Sequence, residues 1–300
     1  MTTAVLLSCH GTVSRVEDIP AFLNNIRRGR PTPPELVAEI RHRFERIGGS
    51  PLMTITAAQG RALEGRIGIP VEVSGRLWHP YIKDVLQRLV EGGARTVISL
   101  PLAPQSVHVY NASVREAAAA YPDVTIRGAP PWGNEPALID AFIETIDEAL
   151  APVPAEERAG FAVVLSAHSL PMRVLAAGDP YEHQFKEMAG AVAARLQARG
   201  MVTRIAFQSQ GASNEAWLGP DLPTTFSELH AAGARDVLVA PIGFVADHVE
   251  TLYDLDVEGP DMAAKAGLVR FLRARALNDR PRFIDALEAV VRREMAAIPG

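Results

Sequence analysis

The 300-residue chain reads as an α/β protein of two Rossmann-like halves, each a parallel sheet flanked by helices, with the active cleft between them. Three observations predict this. Short apolar runs rich in Val, Ile and Leu alternate with segments whose apolar positions recur at spacings of three and four, as buried strands alternate with covering helices. Ala4–His10 (AVLLSCH) and Ala162–His168 (AVVLSAH) agree at five of seven positions, 158 residues apart. Gly93–Leu102 recurs as Gly233–Ile242, each copy following a helical segment introduced by a tryptophan, Trp78 or Trp217, and running into proline. Two echoes in the same order imply an internal duplication. Residues 1–150 then form the first half and 151–300 the second, closed by a C-terminal helix, with the proline-rich, charged stretch 151–158 as linker.

The elements run in order. The opening strand ends at Ser8-Cys9-His10-Gly11-Thr12. Glu17–Arg28 carries Ile19, Phe22, Leu23 and Ile26 on one helical face and ends in Arg27-Arg28-Gly29-Arg30. Pro34 opens a second helix bearing Leu36, Val37, Ile40, Phe44 and Ile47, which Gly48-Gly49-Ser50-Pro51 breaks. Gln59 and Leu63 lie on a third helix, and the short strand Val71-Glu72-Val73 precedes Arg76-Leu77-Trp78-His79-Pro80. A helix from Val107 toward Ala120, a strand near Val124–Ile126 and a helix over Glu135–Leu150 complete the first half. In the second, the strand Phe161–Leu165 stops abruptly at Ser166-Ala167-His168-Ser169-Leu170-Pro171. Asp179-Pro180 starts a helix whose Phe185, Met188, Val192 and Leu196 share a face before Gly200. Arg204–Phe207 is a strand opening into Gln208-Ser209-Gln210-Gly211.

Composition narrows the function classes. A 48% hydrophobic and 22% charged chain is ordinary for a globular enzyme. Net charge −5 and pI near 5.9 argue against nucleic acid as the main partner. The single cysteine, Cys9, excludes an intrachain disulfide and an all-cysteine cluster. No apolar run approaches the roughly 20 residues that span a bilayer, and the N-terminus lacks the basic segment of a signal peptide. A cytoplasmic protein is expected.

Ligands of open parallel sheets bind beyond the carboxyl ends of the strands, so His168 is aimed at a site, and the duplication places His10 at the corresponding strand end. The second polar concentration is Pro241–Glu258. Read as an α-helix after the turn at Gly243, it sets Glu250, Asp254 and Glu258 at i, i+4 and i+8 on one stripe. Like charges at that spacing cost a few tenths of a kcal/mol each. Cation binding would offset this; a solvated acidic face is the alternative.

The runs SAHSLP and, a short loop later, GDPY resemble the signature of ferrochelatases, and FVADHVETLYDLD resembles their second signature. HGT, IRRGR, RFERIGGSPL, RLWHP, WLGPD and FIDAL find counterparts in order, nearly end to end. The pattern is most similar to bacterial forms without a C-terminal extension or an iron–sulfur cluster. The resemblance implies a chelatase-type fold and insertion of Fe2+ into a porphyrin during haem synthesis, coproporphyrin III favoured over protoporphyrin IX. It makes His168 and Glu250 the catalytic pair and His168, Glu250, Asp254 and Glu258 the metal residues. It assigns His10, Arg27, Arg28, Arg43, Phe44, Ser50 and Tyr110 to the porphyrin, with Arg30 a further candidate for its carboxylates. Fe2+ is a substrate, no prosthetic group is implied, and neighbouring haem-pathway enzymes are expected as transient partners.

The chemistry suits those residues. Metallation removes two pyrrole protons and exchanges water around the cation for four nitrogens. A neutral imidazole is a borderline-metal ligand and a base near pH 7, and a carboxylate can take a proton or hand over a cation. One departure stands out: related bacterial forms carry tyrosine where this chain has His10, which is expected to be an axial ligand. The rivals are a cobalt chelatase acting on another tetrapyrrole and a non-catalytic haem carrier, for which Glu250 would have no use.

Overall fold

The computed structural model describes residues 2–211 and 215–298. They form two compact units, one of the residues up to Trp132 together with those from Asn278 onward, the other Gly133–Leu277. In the first, β1 (Thr2–Cys9) leads through a short 3-10 turn to α1 (Ile19–Ile26), α2 (Pro34–Arg46) and α3 (Leu52–Ile67). Then come β2 (Val71–Gly75), α4 (Ile82–Glu91), β3 (Ala94–Pro101), α5 (Val107–Ala118) and β4 (Thr125–Gly128). The second unit holds α6 (Pro136–Leu150), α7 (Ala155–Arg158), β5 (Phe161–His168), α8 (Met172–Ala176), α9 (Tyr181–Gln197) and β6 (Thr203–Gln208). It continues with α10 (Leu222–Ala231), β7 (Asp236–Ala240), α11 (Val249–Thr251), a π-helix (Leu252–Glu258), α12 (Gly259–Lys265) and β8 (Arg270–Arg273). The last helix, α13 (Pro281–Ala296), belongs to the first unit.

Each unit contains one four-stranded sheet, ordered β2-β1-β3-β4 and β6-β5-β7-β8, with every neighbouring pair parallel. The orders are identical, and the echoing stretches fall on equivalent strands, β1 with β5 and β3 with β7. Helices cover both faces, so the central strands are apolar throughout: Val5, Leu6 and Leu7, like Val163, Val164 and Leu165, are wholly buried. In both sheets the strand order reverses between the central pair, and the crevice at that reversal is where ligands of such sheets bind.

The division differs from the expected one at residue 150. Helix α6 packs on α9 and β7 of the second sheet, whereas α13 packs on α3 and β3 of the first. Trp132, where the chain leaves the first unit, is tied to β3, donating from Nε1 to the Pro101 carbonyl at 3.1 Å. The segment 151–158 is a fastened turn rather than a free linker: Arg158 donates to the carbonyls of Val153 and Ala151. Local composition marked a chain reversal there, but which sheet a helix covers is set by packing partners distant in sequence. Strand β8 was not anticipated. It is a four-residue edge whose two half-buried apolar residues, Phe271 and Leu272, are flanked by arginines.

Candidate active site

Strand β5 delivers His168 to the carboxyl end of the second sheet, where its register partner on β6 is Gln208. The Tyr181 hydroxyl donates to the His168 carbonyl at 2.9 Å, so the first turn of α9 braces the strand end. Asp179, expected as the N-cap, lies one residue before the N-cap Pro180 and accepts the Tyr181 N–H at 2.9 Å. Burial, reinforced by the charge of Glu250, raises the Tyr181 phenol far above its ordinary range and keeps it a donor. The Nδ1–H of His168 donates to the Ser169 carbonyl, which can only accept. Nε2 is therefore the nitrogen that gains or loses a proton, and it faces Glu250 Oε1 at 3.4 Å.

After β7 the chain makes a close pass behind β5. The Gly243 N–H bonds the Ser166 carbonyl at 2.9 Å, and a Cβ at Gly243 would lie 2.4 Å from that of Ala167. Only glycine fits beneath the strand end that carries His168. His248 then caps α11 reciprocally: its side chain accepts the Thr251 backbone N–H, and the Thr251 hydroxyl accepts the His248 N–H at 3.0 Å. With the Nδ1 side turned to the cap, His248 directs Nε2 to Glu250 Oε2 at 3.5 Å. Each oxygen of Glu250 thus meets one imidazole. The backbone of Glu250 is held as well, because Gln208 Nε2 donates to its carbonyl at 3.2 Å while Gln208 Oε1 accepts from Ser166 at 2.8 Å.

The α-helical stripe expected for Glu250, Asp254 and Glu258 does not form. Only Val249–Thr251 is α-helical; Leu252–Glu258 is a π-helix, whose i→i+5 bonds widen the turn. Asp254 is buried there and accepts from the Ser209 hydroxyl. Ser209 does this from a left-handed backbone, φ 60°, a strained choice for a residue with a side chain and one that surrounding contacts must hold. Glu258 ends the π-helix, half-buried.

The electrostatics also differ from expectation. Burial alone would press the His168 imidazolium down, but the charge and hydrogen bond of Glu250, then the Ser169 carbonyl and Asp254, push its pKa up to about 9. Burial would raise Glu250; the charge of His168 and hydrogen bonds from both histidines hold it well below the carboxylate range instead. At neutral pH the pair is imidazolium–carboxylate, not the neutral imidazole expected from the sequence. Among the described residues no three His, Cys, Asp or Glu side chains form a ready cation cage.

The residues assigned to the porphyrin all lie in the first unit. His10 is exposed at the end of β1, edge-on to Phe22 with ring centroids 6.0 Å apart. Arg27, Arg28 and Arg30 sit on the turn after α1, where Arg27 and Arg30 each bond a local carbonyl. Arg43 pairs with Glu39 at 2.6 Å. Phe44, 2% exposed, is a core side chain of its unit, and Tyr110, 6% exposed, turns inward, with the Arg76 guanidinium 5.5 Å from its ring. The Ser50 hydroxyl is buried with no hydrogen-bond partner among the described residues. A cleft of about 530 Å3 in this unit is lined by Asn25, Arg76, Tyr81, Lys83 and Ser113 among others, none of them sequence-assigned to the site. His248, Gln208 and Ser209 were also not assigned. The adjacency of Asp247-His248 to Glu250 was a usable signal for the first; nothing local marked the other two.

Twin four-stranded parallel sheets with an imidazole–carboxylate pair beyond one set of strand ends define an α/β protein of the chelatase type. SirB of Bacillus subtilis, solved with Fe3+, shares this fold with a TM-score of 0.63 at 19% identity, covering 99% of this chain and 96% of its own. CbiX, described as the terminal enzyme of sirohaem biosynthesis in denitrifying bacteria, gives 0.55 at 14% over 99% and 100%. A family model described as Ferrochelatase matches residues 2–295. A ferrochelatase of Acidobacterium capsulatum is 38% identical over 95% of this chain and 92% of its own length. The coproporphyrin III ferrochelatase of Bacillus subtilis is 33% identical over 97% of each. The chain belongs to the ferrochelatase family, enzymes that insert a metal into a porphyrin. No helix among the described residues is long and apolar enough to cross a membrane.

Proposed function

We propose that this enzyme inserts Fe2+ into coproporphyrin III in the cytoplasm, with His168 and Glu250 as the reacting pair and no prosthetic group. The observation that carries the reading is the single carboxylate shared by two imidazoles, with His168 Nε2 at 3.4 Å. Insertion forms four Fe–N bonds and breaks two N–H bonds, with no change of oxidation state. Both protons must leave the ring, so the site needs an acceptor that is empty when metal arrives. A dication approaching Glu250 cancels the charge that holds the proton on His168 Nε2. That proton passes to water at the partly exposed ring, and the freed nitrogen takes the two pyrrole protons in turn, handing the first to water before accepting the second. Asp254 and Glu258 supply the cation from the π-helix.

His10, Arg27, Arg28, Arg30, Arg43, Ser50 and Tyr110 are proposed as the porphyrin-binding set, with His10 axial to the iron in the product. Several arginines suit a substrate with four carboxylates. Relatives named coproporphyrin III ferrochelatase, 33–34% identical over nearly the whole chain, support the same choice. An anaerobic competition assay with equal coproporphyrin III and protoporphyrin IX, read by absorbance, tests it. Coproporphyrin should be metallated at least ten times faster. Equal rates, or a preference for protoporphyrin, would reverse the assignment.

A further inference from the structure

Arg273, at the carboxyl end of β8, stands opposite Val239 in the register with β7. Its Nη1 donates to Asp247 Oδ1 at 2.9 Å, and its Nε and Nη2 donate as a fork to the two oxygens of Asp256 at 2.5 and 2.8 Å. The side chains of Arg273 and Asp247 are each 10% exposed. Asp247 directly precedes the capping His248, and Asp256 lies inside the π-helix. One side chain therefore grips the segment on both sides of His248, Glu250 and Asp254. The grip extends into the cap, because Asp247 Oδ1 also accepts the Thr251 hydroxyl at 3.2 Å, the same hydroxyl that accepts the His248 N–H.

This segment needs such a hold. A π-helix is rare and contains one more residue per hydrogen-bonded turn than an α-helix. Its relaxation to α would rotate the residues on its C-terminal side by about 100° against those on its N-terminal side, since each α-helical residue turns by that amount. Glu250 lies before the π-helix and Asp254 and Glu258 within it, so relaxation would part Glu250 from the cation route. A planar fork anchored on a strand end opposes that rotation; a point charge does not.

We infer that Arg273 is a positioning residue, which fixes the π-helical segment and thereby the gap between Glu250 and His168 while touching neither porphyrin nor metal. The inference rests on the reading of His168 and Glu250 as the reacting pair. It is tested in the full-length enzyme with Arg273→Lys, Arg273→Gln, Asp256→Asn and the Arg273→Lys/Asp256→Asn double variant, with Glu250→Gln alongside. Steady-state kinetics use whichever porphyrin the wild type metallates, so a wrong porphyrin assignment does not disturb the test. Arg273→Lys should lower kcat roughly 10- to 100-fold. Porphyrin affinity by fluorescence quenching and far-ultraviolet dichroism should stay at wild-type values, and the double variant should be no slower than Arg273→Lys. Should Arg273→Gln not fold, Arg273→Lys and the half-exposed Asp256→Asn decide alone. Wild-type kcat in Arg273→Lys, or losses that multiply in the double variant, overturns the inference. A fully active Glu250→Gln overturns the reading of the pair beneath it, and with it this one.

Discussion

At the end of β1 stand Ser8, Cys9 and His10; at the end of β5 stand Ser166, Ala167 and His168. The strands hold equivalent places in sheets of identical order, yet their surroundings diverge. The Ser166 hydroxyl donates to Gln208, which holds the backbone of Glu250, whereas the Ser8 hydroxyl is buried with no hydrogen-bond partner among the described residues. His168 meets a carboxylate; His10 meets the edge of Phe22, itself edge-on to Trp78 with centroids 5.7 Å apart. Beyond β3 the chain enters the regular helix α5, and beyond β7 it passes under β5 at Gly243 and enters a π-helix. Duplication thus supplies a scaffold and a strand-end histidine twice. Among the described residues the imidazole–carboxylate pair arises in one copy, through departures from regular structure that bring a carboxylate against the imidazole.

Three comparisons would break or sharpen this contrast. The largest effect is expected for the two histidines. His168→Ala should lower turnover by roughly 10²- to 10⁴-fold, the range for losing a positioned base, while porphyrin affinity by fluorescence quenching persists. His10→Ala should keep insertion and change only the spectrum and release rate of the product. Equal losses in the two variants would mean that both strand ends carry the chemistry.

A smaller and more diagnostic effect concerns protonation. With its pKa pushed up to about 9, His168 adds stability that is full below its ordinary value near 6.5 and is lost as pH rises through 9. Glu250, held low, adds stability present above its ordinary value near 4.5 and lost as pH falls through its folded value. The pair therefore helps most from about pH 4.5 to 6.5, with the His168 share falling away between 6.5 and 9, and Glu250→Gln should remove that plateau in pH-dependent melting. In the same variant the His168 ring should titrate well below its wild-type value by NMR, since only the Ser169 carbonyl and Asp254 then oppose burial. A wild-type His168 that already titrates near 6.5 would dissolve the ion pair. The smallest effect is on stability alone. Ser166→Ala should cost about 1–2 kcal/mol by denaturant unfolding, because it strands a buried Gln208 acceptor, whereas Ser8→Ala should be neutral within about 0.5 kcal/mol. Matching losses would show that Ser8 has a partner after all.

What the sequence determined by itself was whatever repeats or terminates locally. Buried runs such as Phe161–Leu165 and Ala4–Leu7 announced parallel strands because a strand covered on both faces must be apolar throughout. The paired echoes announced the duplication, and the abrupt stop at Ser166-Ala167-His168 put one histidine at a strand end. Glu250 was legible through its acidic neighbourhood and family likeness. Tertiary structure alone decided the rest. Periodicity could not distinguish α from π over Leu252–Glu258, since that choice is favoured by contacts to Ser209 and Arg273, which lie outside the segment. The sequence places helices near α6 and α13, but only packing shows that each covers the sheet of the other half. Phe44 suited a ligand contact by motif and is core by burial. The charge on His168 was likewise invisible, because an imidazole's pKa follows the field around it, and here that field comes from a carboxylate 82 positions further along the chain.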